Sequence, residues 1–121
     1  MHHVTHVEIP TKDLKRAKAF YEKIFGWSFN DFGRDYTLWS PPGGGTGGGI
    51  YKVKTMPAKS PVRAYIEVDD IDTKLKEIKS ARGKIVKTKS EVPTHGWWAV
   101  FNDPQGCQLY LWQSARRGAL N

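Results

Sequence analysis

His6-Val7-Glu8-Ile9-Pro10-Thr11-Lys12-Asp13-Leu14 is matched, 57 residues on, by Arg63-Ala64-Tyr65-Ile66-Glu67-Val68-Asp69-Asp70-Ile71. In the first stretch Val7 and Ile9 point one way while His6 and Glu8 point the other, as in a half-buried strand. In the second, Ala64 and Ile66 oppose Arg63, Tyr65 and Glu67. Each strand leads to an aspartate suited to cap a helix: Asp13 in the first half, and Asp70 or Asp72 in the second. Helical spacing follows, with Leu14, Ala17, Phe20, Tyr21 and Ile24 in one stripe and Ile71, Leu75, Ile78 and Ala81 in the other. Gly26 and Gly83 are the expected helix stops.

The same shift of 57 lays Tyr21 on Ile78 and Ile24 on Ala81. Three further strands are predicted in each half. They are Trp27 to Phe29, Tyr36 to Trp39 and Gly47 to Val53, then Lys84 to Lys87, Trp97 to Phe101 and Gln108 to Gln113. Beyond the third strand of each half the shift becomes 62, so that Pro42 meets Pro104 and Gly44 meets Gly106, and a longer loop in the second half is expected to hold the difference. A repeat that matches strand, cap, stripe, stop and turn predicts an α+β fold of two tandem βαβββ modules, about 4–53 and about 62–113. The whole chain, 1–121, is expected to form one domain, its mixed sheet cupped and its helices on the outer face.

One such module covers a single face of its sheet with its helix. Two side by side would enclose the other face, and the residues lining it are those opposite the helix-facing set. These are His6 and Glu8, then Arg63, Tyr65 and Glu67, with Gln108, Tyr110 and Trp112 on the last strand.

Composition narrows the function classes. No apolar run reaches the roughly 18 residues of a membrane span, and the start of the chain has no apolar signal segment, so a cytoplasmic protein is expected. A single cysteine, Cys107, excludes an intrachain disulfide and a multi-cysteine zinc site, and it reads as a small buried filler. The net charge of +7 raises nucleic acid as a partner. The basic residues are spread over two helices and a strand, with no recognition motif among them, which favours solvated faces. The glycine run from Gly43 to Gly49 lacks the Lys-Ser/Thr of a phosphate loop and opens no helix. Glycines there suit close approach by a ligand or a neighbouring backbone.

The strand-to-helix stretch, with Arg16-Ala17, Phe20-Tyr21 and Phe25-Gly26-Trp27, resembles the vicinal oxygen chelate superfamily, as does the closing Asp103-Pro104-Gln105-Gly106 with Leu111-Trp112-Gln113. That superfamily groups glyoxalase I, bleomycin-resistance proteins and extradiol dioxygenases. The chain is most similar to small glyoxalase-related members of unassigned substrate. The resemblance implies paired modules, usually in a homodimer, and in metal-using members one ligand from the first and fourth strand of each module. Those positions fall on His6, near Gly48, on Arg63 and on Tyr110.

An imidazole, a residue without a side chain, a permanent cation and a phenol make a poor ligand set for a divalent ion. The leading expectation is a metal-independent binding protein or enzyme without a cofactor, its cavity holding a small anionic or aromatic molecule. Arg63, Tyr65 and Tyr110 would supply polar contacts, and Trp39, Trp98 and Trp112 stacking surfaces, with Gly48 leaving room. Each tryptophan also reads as a core residue, and Arg63 as the partner of Glu8 or Glu67. Two alternatives stand beside this expectation. One is a metal-dependent lyase, isomerase or dioxygenase using His6. The other is metal-free catalysis with Glu8 or His6 as general base.

Overall fold

A computed structural model describes residues 2–57 and 62–115. The chain is α+β, with two βαβββ modules in tandem. It divides into two compact units, Thr5–Ala64 and a second made of 2–4 with 65–115. Residues 2–4 join the second unit because His2 N–H donates to Glu67 O (3.0 Å) and Glu67 N–H to His3 O (3.0 Å).

The first module runs β1 (Val4–Thr11), α1 (Leu14–Phe25), β2 (Ser28–Asp31), β3 (Tyr36–Ser40) and β4 (Gly47–Lys52). Its strands lie in the order β2-β3-β4-β1, with β1 parallel to β4 and the other pairs antiparallel. Asp13 caps α1 by accepting from Arg16 N–H at 3.1 Å. Gly26 ends the helix in the left-handed region at φ 72°, where a side chain would be strained.

The second module runs β5 (Arg63–Glu67), α2 (Ile71–Ser80), β6 (Lys84–Val92), β7 (Gly96–Asn102) and β8 (Gln108–Ser114). Its order is β5-β8-β7-β6, with β5 parallel to β8. Ile71 and Leu75 of α2 pack with Val68, Ala99, Phe101 and Leu111 in a core flanked by Ile66, Ile78, Ile85 and Trp97. The cap is Asp70, whose carboxylate accepts from Asp72 N–H (3.1 Å) and the Thr73 hydroxyl (2.9 Å). The left-handed residue after α2 is Arg82, at φ 74°, one before the expected stop at Gly83. Gly83 serves close packing instead: a Cβ there would meet the Ile78 side chain at 2.5 Å.

Two expectations are corrected. The five extra residues of the second module lengthen a strand and not a loop: β6 has nine residues where β2 has four. Cys107 is exposed, in the turn where Asp103 accepts from both Gln105 N–H and Cys107 N–H at 2.9 Å.

The Thr73 hydroxyl chiefly holds the Asp70 carboxyl below its ordinary 3.8, with the Asp72 and Thr73 backbone and Lys89 adding to the effect against the cost of burial. A lowered folded-state value stabilises the protein above the ordinary carboxylate range and is lost as pH falls through the lowered value. Asp70→Ala should therefore lower the thermal midpoint at neutral pH, and the gap from the parent should close on acidification. Melting curves across the acid range test this, and a gap that stays constant would contradict it.

Candidate functional site

On β1 the alternation places Val7 and Ile9 on one face of the sheet and His6 and Glu8 on the other. Parallel pairing sets Val7 opposite Gly48 and Glu8 opposite Gly49. Antiparallel pairing then sets Gly49 opposite Leu38 and Tyr51 opposite Tyr36. The register brings His6, Glu8, Tyr36, Gly49 and Tyr51 to one face.

Three of these form a closed hydrogen-bonded cluster. The Tyr36 hydroxyl donates to Glu8 Oε2 at 2.7 Å. His6 Nε2 lies 3.2 Å from the same carboxylate oxygen and 3.1 Å from Tyr36 Oη. A phenol has one proton, and Tyr36 gives it to Glu8. The imidazole must therefore carry its proton on Nε2 and share it between the two oxygens. Glu8 keeps only 14% of its side chain exposed, and His6 28%.

The other carboxylate oxygen, Glu8 Oε1, stands 3.9 Å from an Arg63 guanidinium nitrogen. That is longer than the 2.7–2.9 Å of a direct charge-assisted bond. The guanidinium carbon sits 4.6 Å over the centre of the Tyr51 ring, whose face attracts the cation. Arg63 side-chain exposure is 39%.

Glycine makes this arrangement possible. A Cβ on Gly49 would lie 1.9 Å from the Tyr36 hydroxyl oxygen and 2.3 Å from its ring, so the phenol passes over the space that a side chain would fill.

Of the residues expected to form a site, His6, Glu8 and Arg63 come together here. Trp39 and Gly48 lie on the other face. Trp39 is buried, donates to Val7 O at 3.1 Å and stacks at 3.7 Å on Trp27, which stacks in turn on Tyr21 of α1. Gly48 sits where a Cβ would strike Val7 O at 1.8 Å.

Tyr65, Tyr110, Trp98 and Trp112 share the face of the second unit away from α2. Tyr65 pairs with Tyr110 and Trp98 with Trp112. The Tyr65 and Tyr110 rings are 4.9 Å apart, and Trp98 lies nearly parallel to Tyr110 at 6.4 Å. Sequence reading missed Tyr36, Tyr51 and Gly49. The shift of 62 that joins Pro42 to Pro104 also lays Tyr36 on Trp98, and that signal marks Tyr36 as a face residue.

A family model for the Glyoxalase/Bleomycin resistance protein/Dioxygenase superfamily matches residues 3–111. The chain belongs to that superfamily. It is 28% identical over 127 aligned positions to CFP32 of Mycobacterium tuberculosis, a protein provisionally named a glyoxylase. The match covers 91% of this chain and 45% of that protein, so the chain spans just under half the length of the curated relative.

Among solved structures it resembles methylmalonyl-CoA epimerase from Mycobacterium tuberculosis, with a TM-score of 0.74 and 17% identity over 97% of this chain and 91% of that one. It also resembles the Mn(II)-bound glyoxalase from Novosphingobium aromaticivorans, with a TM-score of 0.67 and 16% identity over 93% of this chain and 38% of that one. At these identities the likeness is one of fold.

The superfamily thus includes a metal-bound member, and the residues here do not fit such an ion. Among the described residues no group of three or more His, Cys, Asp and Glu could hold one. The remaining residues, 1, 58–61 and 116–121, contain none of these types. His6 and Glu8 supply two donors, while zinc and its relatives take three or more protein ligands. The Arg63 cation beside Glu8 adds repulsion. No helix among the described residues is long and apolar enough to cross a membrane.

Proposed function

We propose that this chain is a metal-independent, small-molecule-binding member of the superfamily, whose ligand is a small anion held on the face of the first module that carries His6, Glu8 and Tyr36. The observation that carries this reading is the His6–Tyr36–Glu8 cluster with the Arg63 guanidinium at its edge. Tyr36 and His6 share the Glu8 charge on one oxygen. Arg63, at the edge of this cluster, is the cation suited to pair with a ligand carboxylate. Tyr51 holds the guanidinium from beneath and offers an apolar edge to the rest of the ligand.

Benzoate combines a carboxylate with a flat ring and is a suitable first probe. Calorimetric titration should show it binding the parent protein, and Arg63→Gln should weaken binding about tenfold, the loss of one good ion pair. Titration with Mn(II) should give no saturable heat. Stoichiometric Mn(II) binding that disappears in His6→Ala would overturn the proposal and favour a metal-dependent lyase, isomerase or dioxygenase.

A further inference from the structure

The repeat assigns different chemistry to equivalent places in the two modules. Where the first has Glu8, Gly49 and Tyr36, the second has Tyr65, Tyr110 and Trp98, as the pairings of Glu8 with Gly49 and of Tyr65 with Tyr110 show. The second face is therefore a bank of rings. Trp98 and Tyr110 are half-buried and nearly parallel, their centres 6.4 Å apart and their planes inclined by 19°, and together they form an aromatic platform. Gln108 fixes the outer end of Tyr110 by donating to its hydroxyl at 3.1 Å.

A lysine is turned onto this platform by a break in the neighbouring strand. In a regular strand, residues two apart share a face, so Ile85 and Lys87 would both point towards α2. Ile85 does, and packs against the core. Between Ile85 and Lys87 the register with β7 slips: Ile85 pairs with Phe101, but Lys87 with Val100. The extra residue turns Lys87 to the opposite face, and its ammonium lies 5.3 Å over the Trp98 ring. A second slip before Ser90 reverses the alternation again, and Lys89 stands 4.7 Å over Trp97 instead. Two irregularities in nine residues thus set the Lys87 ammonium above the aromatic platform.

We propose that Lys87, Trp98 and Tyr110 form a binding site in the second module for planar aromatic anions, built from residues other than those of the Arg63 cluster. The ring of the ligand stacks on Trp98 and Tyr110, and its anionic substituent meets the Lys87 ammonium. Ring stacking supplies affinity for flat molecules in general, and the lysine selects those that carry negative charge.

The probe is 2-naphthoate, titrated into the whole protein by calorimetry and tryptophan fluorescence, with neutral 2-naphthylmethanol as the comparison. In the parent, naphthoate should bind more tightly than the alcohol. Lys87→Gln should weaken naphthoate about two- to fivefold, as expected of an exposed cation, and leave the alcohol unchanged. Trp98→Leu should weaken both, and Arg63→Gln neither.

Equal affinity of the parent for both probes, or unchanged naphthoate affinity in Lys87→Gln, would overturn the proposal. So would naphthoate loss in Arg63→Gln, which would move the ligand to the first module. Lys87 is exposed and takes no part in the core. Its variant therefore decides the matter even if Trp98→Leu fails to fold.

Discussion

Gly48→Ala should destabilise the protein by roughly 3 kcal/mol or more, while Gly49→Ala should cost less stability and abolish the polar cluster. The two glycines are neighbours on β4, but they face opposite ways. A Cβ at Gly48 would lie 1.8 Å from Val7 O and 2.7 Å from the Trp39 indole nitrogen. The first obstacle is backbone of the paired strand. It can yield only by separating β1 from β4 and breaking the bond from Trp39 to Val7 O.

At Gly49 the obstacle is the end of the Tyr36 side chain. That side chain can rotate away, but doing so removes the hydroxyl from Glu8 and His6. Urea unfolding gives the first quantity as a shift in midpoint, and benzoate titration gives the second. Gly49→Ala together with Tyr36→Phe should bind benzoate no more weakly than Gly49→Ala alone, because the first change has already displaced the phenol. Near-parental stability of Gly48→Ala would show that β1 and β4 are not held at this spacing.

These two positions also show how far the sequence could be read. The repeat located both helices and the cap at Asp13, and narrowed the second cap to Asp70 or Asp72, because strand alternation and helical spacing are local signals repeated in register. It misjudged the face of β4. The shift of 62 fits the turns, where Pro42 meets Pro104, but the pairings make Gly49 the equivalent of Tyr110, a shift of 61. The first module has one residue more between its turn and its last strand, and a slip of one residue exchanges the two faces. Glycine has no side chain to reveal the error, so Gly48 was expected where Gly49 stands.

Tyr36 was overlooked for a related reason. Its role depends on reaching across β4 to β1, and nothing in its own strand signals the gap that Gly49 leaves. The length of β6 was hidden as well. Lys87 to Val92 lacks a simple alternation because the register slips twice within it, so a two-residue period breaks down where the strand is most unusual. His6, Glu8 and Arg63 were legible because all three sit on the first strands of their modules, where the alternation is regular.

Leu75→Ala should lower the unfolding free energy by about 2–4 kcal/mol, and the same replacement at the equivalent position of α1, Lys18→Ala, by only a small fraction of that. The shift of 57 lays Lys18 on Leu75. In the second module Leu75 is 5% exposed and Ile71 wholly buried, so α2 is joined to its sheet by aliphatic packing. α1 buries no residue at all. At the place of the leucine its lysine reaches Asp31 on β2, with both carboxylate oxygens at 3.0 Å.

That bond holds the Asp31 carboxyl below its ordinary value, with help from Thr37, so its contribution disappears as pH falls through the lowered value. It is also open to solvent and screened by salt, whereas a cavity at Leu75 persists in any buffer. Urea midpoints at neutral and acid pH separate the two helices. The loss in Leu75→Ala should be the same at both, while the small loss in Lys18→Ala should vanish on acidification. What attaches α1 is then its aromatic contact, Tyr21 on Trp27 and Trp27 on Trp39, beneath the strands that carry His6, Glu8 and Tyr36. Trp39→Ala should accordingly cost the first module what Leu75→Ala costs the second, and it should weaken benzoate binding as well, because its indole holds β1 at Val7 between the two residues of the cluster.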